Sequence, residues 1–460
     1  MTKIIDPIFL SKALYRYLVD PPRLKKMNNE SLKRFQDKSL RTILTYAYKV
    51  PVYREKYKKA GIHPYDIHGI EDIYKLPFIT KEDLRQNFPD NVISPSFQKN
   101  TGIVASTSAT TGAPLSLYFD LLTVLQSMLG FVRILREHEI NWRRSRIALL
   151  LDLSANSFEN SYFLKNVSPA IRSLTSLKNI HVFDINSTAS ELIKTLDVLQ
   201  PDAIIGYPFV LIQLAYLKEN GYGRNITPVI IGSSGAYFDH YSRRRVEEAF
   251  DTQTFDIYAA TESGPMAFEC IEKRYHVLSD FVYLEVLRNG ENVSCEETGS
   301  LVVTKLYGEG TPIIRYTGID DVITPARTTC SCGLAGDLIE SIHGRKSHAL
   351  LLPGGKLTCI SLFDTVIGEI LSKMKAIRLK RMQIIQHTLD RVEIKIAYDT
   401  IERKKTSTDT LFSSIRSGLL KRLGSDIDLV ITQVDGFDSK APYVINKIWK
   451  ENWDVREYLI

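Results

Sequence analysis

A chain of 460 residues is too long for one compact core and calls for two or three domains. With 44% hydrophobic and 24% charged residues, its composition is that of a globular protein and excludes a disordered or fibrous chain. The net charge of +6 is modest and falls in short runs such as Arg243-Arg244-Arg245, which read as solvated helix faces and give no footing for nucleic acid.

The first twenty residues mix apolar positions with Asp6, Lys12 and Arg16 at helical spacing. They lack the apolar centre and small-residue cleavage site of a secretion signal. No apolar run approaches the roughly 20 residues that cross a bilayer, so no membrane span is expected and the cytoplasm is the expected location. From Ser31 to Ala60, Leu32, Phe35, Leu40, Ile43, Leu44 and Ala47 recur at helical intervals that break near Pro51, and another helix opens at Thr80. Between Gly102 and Asp256 the pattern becomes apolar runs (147–151, 181–185, 203–207, 228–234, 254–258) alternating with amphipathic stretches such as 189–199 and 243–250. That alternation predicts βαβ units and a mostly parallel sheet, which binds ligands beyond its carboxyl edge. After Thr261 the runs 283–287, 301–306 and 312–316 lie closer together between Gly and Asn turns, which predicts an antiparallel sheet or barrel. Beyond Gly344, the alternating segments 392–398 and 428–434 surround a helix from Thr408 to Leu423, an α+β block. The expected fold is therefore α/β: a large N-terminal domain over 1–344, layered, with mostly parallel sheets and a small barrel-like part, followed by a small mobile α+β domain over 345–460.

Within this frame, Ser106, Thr107, Ser108, Thr110, Thr111 and Gly112 fill a loop too short and polar to be core. Glycine lets backbone N–H groups approach a phosphate chain closely, and hydroxyls add donors that do not crowd it. No Gly-Lys-Ser/Thr follows, so this is not a Walker loop. Other chemistries find no support: Gly232-Ser233-Ser234-Gly235 lacks the nucleophile-elbow spacing, and there is no His-Glu-x-x-His and no dinucleotide fingerprint. Five cysteines in so long a chain make no disulfide framework. Cys330 and Cys332 share a tight turn, while Cys270 precedes His276 by six residues. Together they could bind Zn²⁺ as a closed Cys₃His site, or pack as small apolar residues.

The stretch Thr107-Ser108-Ala109-Thr110-Thr111-Gly112-Ala113-Pro114 resembles the phosphate-loop signature of the adenylate-forming superfamily of acyl-CoA ligases. Tyr258-Ala259-Ala260-Thr261-Glu262, then Pro312-Ile313-Ile314-Arg315-Tyr316 with Asp320, then Gly344-Arg345, are similar to its later motifs in the same order. The text around 40–54 and the four Cys/His positions resemble the phenylacetate-CoA ligase branch, which includes capsule-polysaccharide-associated homologues. The resemblance implies ATP-dependent activation of a small carboxylic acid to an acyl-adenylate, then transfer to a thiol such as coenzyme A. It further implies β- and γ-phosphate binding by the 106–112 loop, α-phosphate contact by Thr261, a Mg²⁺ ligand in Glu262, and adenine packing by Tyr258. Asp320 and Arg345 would hold the ribose, and Lys440, in Phe437-Asp438-Ser439-Lys440-Ala441, would bridge the α-phosphate and the attacking carboxylate, with Lys447 and Lys450 as nearby alternatives. Gly206, Tyr207, Ser233, Ser234, Gly235 and Tyr237 would line the acyl pocket, which suits a planar aromatic acid, and residues 343–348 would form the hinge. Ala109, Ala259 and Ala236 depart from the pattern, as does Ser439, and the hinge lacks the family's aspartate. An acyl carrier protein, an amine or a sugar hydroxyl as acceptor, a degenerate zinc-stapled scaffold, and a homodimer all stay open at this level.

Overall fold

The computed structural model describes residues 7–100, 102–107, 114–154, 157, 159–160, 177–327, 329–374, 377–400, 408–437, 443–448 and 457–459. Near the N-terminus, the helix Asn29–Ala47 starts at Asn28, whose side chain accepts from the Ser31 amide while Ser31 answers the Asn28 amide. This reciprocal cap satisfies two of the amides that a helix start leaves without partners. Leu32, Leu40, Ile43, Leu44 and Ala47 form its buried face. Pro51 ends the run as predicted by opening the next helix, Pro51–Lys59, where a missing N–H costs nothing. Thr80 caps the third predicted helix, Lys81–Asn87, through the same exchange with Asp83.

The centre is one sheet of twelve strands. Its parallel half consists of β3 (Ile147–Leu151), β4 (Ile180–Asp184), β5 (Ala203–Gly206), β6 (Ile230–Ser234) and β7 (Gln253–Ala260), in the order β4-β3-β5-β6-β7. Crossover helices Ala189–Leu199, Pro208–Glu219 and Arg243's helix His240–Phe250 connect these strands, as the alternating pattern predicts. Beyond β7 the sheet turns antiparallel through β8 (Gly264–Glu269), β9 (Tyr275–Val277), β14 (Leu338–Arg345), β13 (Asp321–Pro325), β12 (Gly299–Lys305), β10 (Val282–Arg288) and β11 (Glu291–Asn292). A separate hairpin, β1 (Ile103–Ser106) against β2 (Ser116–Phe119), carries the hydroxyl-rich loop between its strands.

One predicted strand is absent. Pro312–Tyr316 forms only isolated bridges, from Tyr316 to Ile79 and to Val303. Arg315 has φ +46°, outside the β region, and its buried guanidinium pairs with both oxygens of Glu285 (3.1 and 2.8 Å) and donates to the Tyr74 and Leu76 carbonyls. The same segment holds the N-terminal helices to the sheet, since Tyr53 Oη donates to the Pro312 carbonyl at 2.6 Å.

After Arg345 come β15 (Leu350–Leu352) and β16 (Lys356–Thr358), then a four-stranded sheet of β17 (Ile377–Gln386), β18 (Arg391–Thr400), β19 (Asp428–Gln433) and β20 (Val444–Asn446), in the order β19-β18-β17-β20. Helices Ile360–Met374 and Thr408–Leu423 cover it. Phe363, Ile367, Ile384, Ile394, Leu411, Ile415 and Leu419 belong to a hydrophobic core of its own. The molecule is mixed α/β, with a large sheet and a small α+β part, as the residue pattern predicts. Among the described residues no helix is long and apolar enough to cross a membrane.

Candidate functional site

The strand ends bring the motif residues together. β7 carries Tyr258 near its carboxyl end, and Thr261 and Glu262 fill the turn into β8. β13 begins at Asp321, and its register sets Asp321 opposite Arg345 at the end of β14. Tyr258 Oη donates to Asp321 Oδ2 at 2.5 Å, tying the two halves of the sheet at one point. Burial pushes the Asp321 carboxyl up to about 6 and holds the Tyr258 phenol well above its usual range. Glu262 is buried and accepts from Tyr316 Oη at 3.1 Å; burial raises its pKa against the opposing pull of Lys81 and Arg345. Asp320, raised by the same cause, accepts from the Ser347 amide at 2.9 Å, and its carbonyl accepts from the Lys346 amide at 2.6 Å. Arg345 thus lies within electrostatic reach of Tyr258, Glu262 and Asp320.

Two members of this cluster are new. Lys81, whose pKa burial lowers, lies in the field of Glu262, Arg345, Arg85 and Asp320. In sequence it reads as part of an ordinary first helical turn; the bridge from Ile79 to Tyr316 is what sets that helix start beside Glu262. Asp321 is the carboxylate on Tyr258, one residue from the predicted Asp320, and only the β13–β14 register separates their roles.

The hairpin supplies the stem of the loop expected to bind phosphate. Ser106 Oγ lies 2.9 Å from Ser116 Oγ, the Thr107 amide donates to the Leu115 carbonyl at 2.9 Å, and the Leu115 amide donates to Thr107 Oγ1 at 3.1 Å. Ser108, Thr110, Thr111 and Gly112 lie outside the described residues, as does Lys440.

The predicted acyl-pocket residues divide into two groups. Gly206 stands opposite Ser233 at the carboxyl ends of β5 and β6, and Ser234 Oγ donates to the Ile257 carbonyl at 3.1 Å. Gly235 has φ +85°, and a Cβ there would stand 2.4 Å from the Tyr207 ring, so this turn requires glycine. Tyr207 in turn donates to Glu159, whose pKa is raised by burial and which no sequence signal marked. Tyr237, in the loop after β6, packs on the core of the small α+β part.

Cys270, His276, Cys330 and Cys332 converge, their ligand atoms all within 4.8 Å of one another. Cys270 Sγ is 3.7 Å from Cys330 Sγ, and Cys332 Sγ is 3.1 Å from His276 Nε2. Four ligands about 2.0–2.3 Å from a tetrahedral centre would be separated by comparable spans, so the donor set fits Zn²⁺. Burial lowers the His276 pKa to about 4, leaving the neutral ring that a metal needs. The cluster brings the β8–β9 turn and β9 together with the loop between β13 and β14.

No family model matches this chain. A phenylacetate-coenzyme A ligase from Pseudomonas putida is 26% identical over 401 residues, 83% of this chain and 84% of that protein. Protein CapK from Staphylococcus aureus is 23% identical over 323 residues, 69% of this chain and 68% of its own. Among solved structures, 2-hydroxyisobutyryl-CoA ligase in the postadenylation state with R3-HIB-AMP shares the fold, with a TM-score of 0.78 over 93% of this chain and 92% of that one, at 18% identity. The same enzyme with 2-HIB-AMP and CoA in the thioesterification state gives 0.62 over 92% and 91%, at 20% identity.

Proposed function

We propose that this chain, which has the adenylate-forming fold and the phenylacetate-CoA ligase branch among its sequence relatives, activates a small carboxylic acid with ATP and passes the acyl group to coenzyme A. In the first step a carboxylate oxygen attacks the α-phosphorus, the bond to pyrophosphate breaks, and acyl-AMP forms. In the second the thiol sulfur attacks the acyl carbon and AMP leaves. The observation that carries this reading is the meeting of Tyr258, Glu262, Asp320, Arg345 and Lys81 at the carboxyl end of β7.

Two anions must meet in the first step, so the work of the protein is to supply positive charge and alignment. The 106–112 loop holds the β- and γ-phosphates, Thr261 the α-phosphate, and Tyr258 packs against adenine. Asp320 accepts from the ribose hydroxyls and Arg345 steadies the sugar. Lys81 and Lys440 contribute the cationic side chains, Lys440 bridging carboxylate and α-phosphate. Glu262 is the carboxylate that would hold Mg²⁺, which when bound neutralises phosphate oxygens. The Cys₃His cluster would hold a structural zinc. Gly206, Tyr207, Ser233, Ser234 and Gly235 line the acyl side, the small domain from 345 onward carries Lys440, and the cytoplasm supplies ATP and coenzyme A.

Pyrophosphate exchange into ATP, run with a panel of carboxylic acids, tests the first step. Exchange with at least one acid is expected, as is loss by orders of magnitude in Lys440→Ala with the melting temperature unchanged. No exchange with any acid would leave a nucleotide-binding scaffold. Adding coenzyme A and following AMP release separates a thiol ligase from a transferase to a carrier protein, amine or hydroxyl.

A further inference from the structure

Helix Pro7–Val19 presents its apolar side to solvent. A surface helix ordinarily keeps its apolar stripe on the core and its polar side chains in water. Here Ala13 is the buried residue, while Ile8, Leu14, Tyr15 and Leu18 are each at least 60% exposed. At about 100° per residue the four fall within about 120° of arc and so form one face. Among the described residues no other element carries more than two exposed large apolar side chains.

Both borders of that face are cationic. Beyond Ile8 lie Lys12, which is exposed, and Arg16 one turn on. Beyond Leu14 lies Tyr17, whose ring centre is 5.5 Å from the Arg136 guanidinium and 5.2 Å from that of Arg143, and whose hydroxyl accepts from Arg136 Nη2 at 3.2 Å. Trp142 stands edge-on to the same ring at 6.4 Å. The helix itself contains no Asp or Glu. Asp20, which follows it, is buried and paired with Arg23, and Glu137 is held by Lys25 at 2.8 Å. Glu139 is exposed in the adjoining stretch, but so are Arg136, Arg143, Arg144 and Arg146.

An occupant of this face must take up large apolar side chains and offer negative charge along both borders. A helix with aliphatic residues on one side, cations flanking them and amphipathic rings at the edge meets a bilayer in just this way, lying in the interface plane. A second copy of this chain meets only the first demand: pressed face to face, it would bring the same cations together with no carboxylate on the helix to answer them. We propose that helix Pro7–Val19 is a docking surface for an anionic lipid bilayer. Ile8, Leu14, Tyr15 and Leu18 enter the boundary between headgroups and acyl chains, and Lys12, Arg143 and Arg144 meet the lipid phosphates. This goes beyond the activity proposed above and does not depend on it.

The test is co-sedimentation of the full chain with vesicles of phosphatidylglycerol and phosphatidylcholine in equal parts, and with vesicles of phosphatidylcholine alone. Binding to the mixed vesicles is expected, and about tenfold weaker binding to the neutral ones. The double variant Leu14→Ser/Leu18→Ser should bind the mixed vesicles at least about tenfold more weakly. Lys12→Glu/Arg144→Glu should also lose about tenfold, and added salt should weaken the wild type more than this variant. All four side chains are exposed, so the melting temperature of both variants should match the wild type, as should their mass by light scattering without lipid. No sedimentation with the mixed vesicles, or equal binding to both compositions, would overturn the proposal. So would a wild-type dimer that dissociates in Leu14→Ser/Leu18→Ser, since a second copy would then be what covers the face.

Discussion

Lys305, at the end of β12, is buried with no carboxylate partner among the described residues, so a change in one atom type there has a calculable effect. Its ammonium lies 5.1 Å from the centre of the Phe119 ring, at the end of the β1–β2 hairpin, and 4.5 Å from that of Tyr307. Burial lowers its pKa from 10.5 to about 7, partly offset by Asp120. Between those values the unfolded chain binds the proton and the folded one does not, so stability rises with pH across that window. Below pH 7 the full cost of the buried charge is present. At about 1.4 kcal/mol per unit it reaches roughly 5 kcal/mol, from which about 1–2 kcal/mol of attraction to the rings must be subtracted. Lys305→Met keeps the shape and removes the charge. We expect the variant to be more stable by about 3 kcal/mol at pH 6, with the difference shrinking through pH 8 and 9.5. Urea midpoints of the two proteins in matched buffers measure it. A gain that does not change with pH, or a variant less stable at pH 6, would refute the reasoning.

Cys332→Ser should lose a near-stoichiometric zinc, detected by metal analysis of the purified protein, and the melting temperature should fall with it; strong chelation of the wild type should have the same effect. Gly235→Ala should cost about 2–4 kcal/mol, from a positive φ and a methyl pressed on the Tyr207 ring, and Tyr207→Ala should recover part of that loss in the double variant. Asp320→Asn retains an oxygen for the Ser347 amide and suits φ +65°, whereas Asp320→Ala does neither. Amide exchange at Ser347 should therefore quicken only in the alanine variant, while ATP affinity should fall in both.

The parallel strands were legible because each is a short run of β-branched and aliphatic residues bounded by turns, and β3 to β7 fall within a residue or two of their runs. The helix Leu121–Glu137 was not. Its buried face includes Thr123, Gln126, Ser127 and Gly130, polar or small residues that blur the apolar stripe, and Arg133 is buried with them by a pairing that no local pattern announces, two bonds of 2.7 Å to Asp280. Pro312–Tyr316 erred the other way: its apolar run reads as a strand, but Arg315 needs a left-handed backbone to reach Glu285. Within the site, residues whose chemistry is distinctive and whose order is fixed could be read directly. Lys81, Asp321 and Glu159 could not, since each gains its place from a strand register or a long-range bridge.

The hinge illustrates the same division. Gly344-Arg345-Lys346-Ser347-His348 contains no aspartate, which in sequence looks like a missing part. In the fold the carboxylate arrives from elsewhere. β13 and β14 run side by side with Asp321 opposite Arg345, so the residue before β13 necessarily meets the residues after β14, and Asp320 takes the amides of Lys346 and Ser347. The Lys346 amide goes to the Asp320 backbone carbonyl and the Ser347 amide to its side chain, on a left-handed φ that aspartate tolerates better than most residues. The residue assigned to the ribose and the acidic contact of the hinge are then one side chain. Its carboxylate accepts from both the amide and the side chain of Ser347, and since its two oxygens offer about four lone-pair sites, one oxygen can accept a hydroxyl besides. A nucleotide bound at that oxygen would rest on the same residue that fixes the start of the small part, so filling the site and orienting the small part need no separate link.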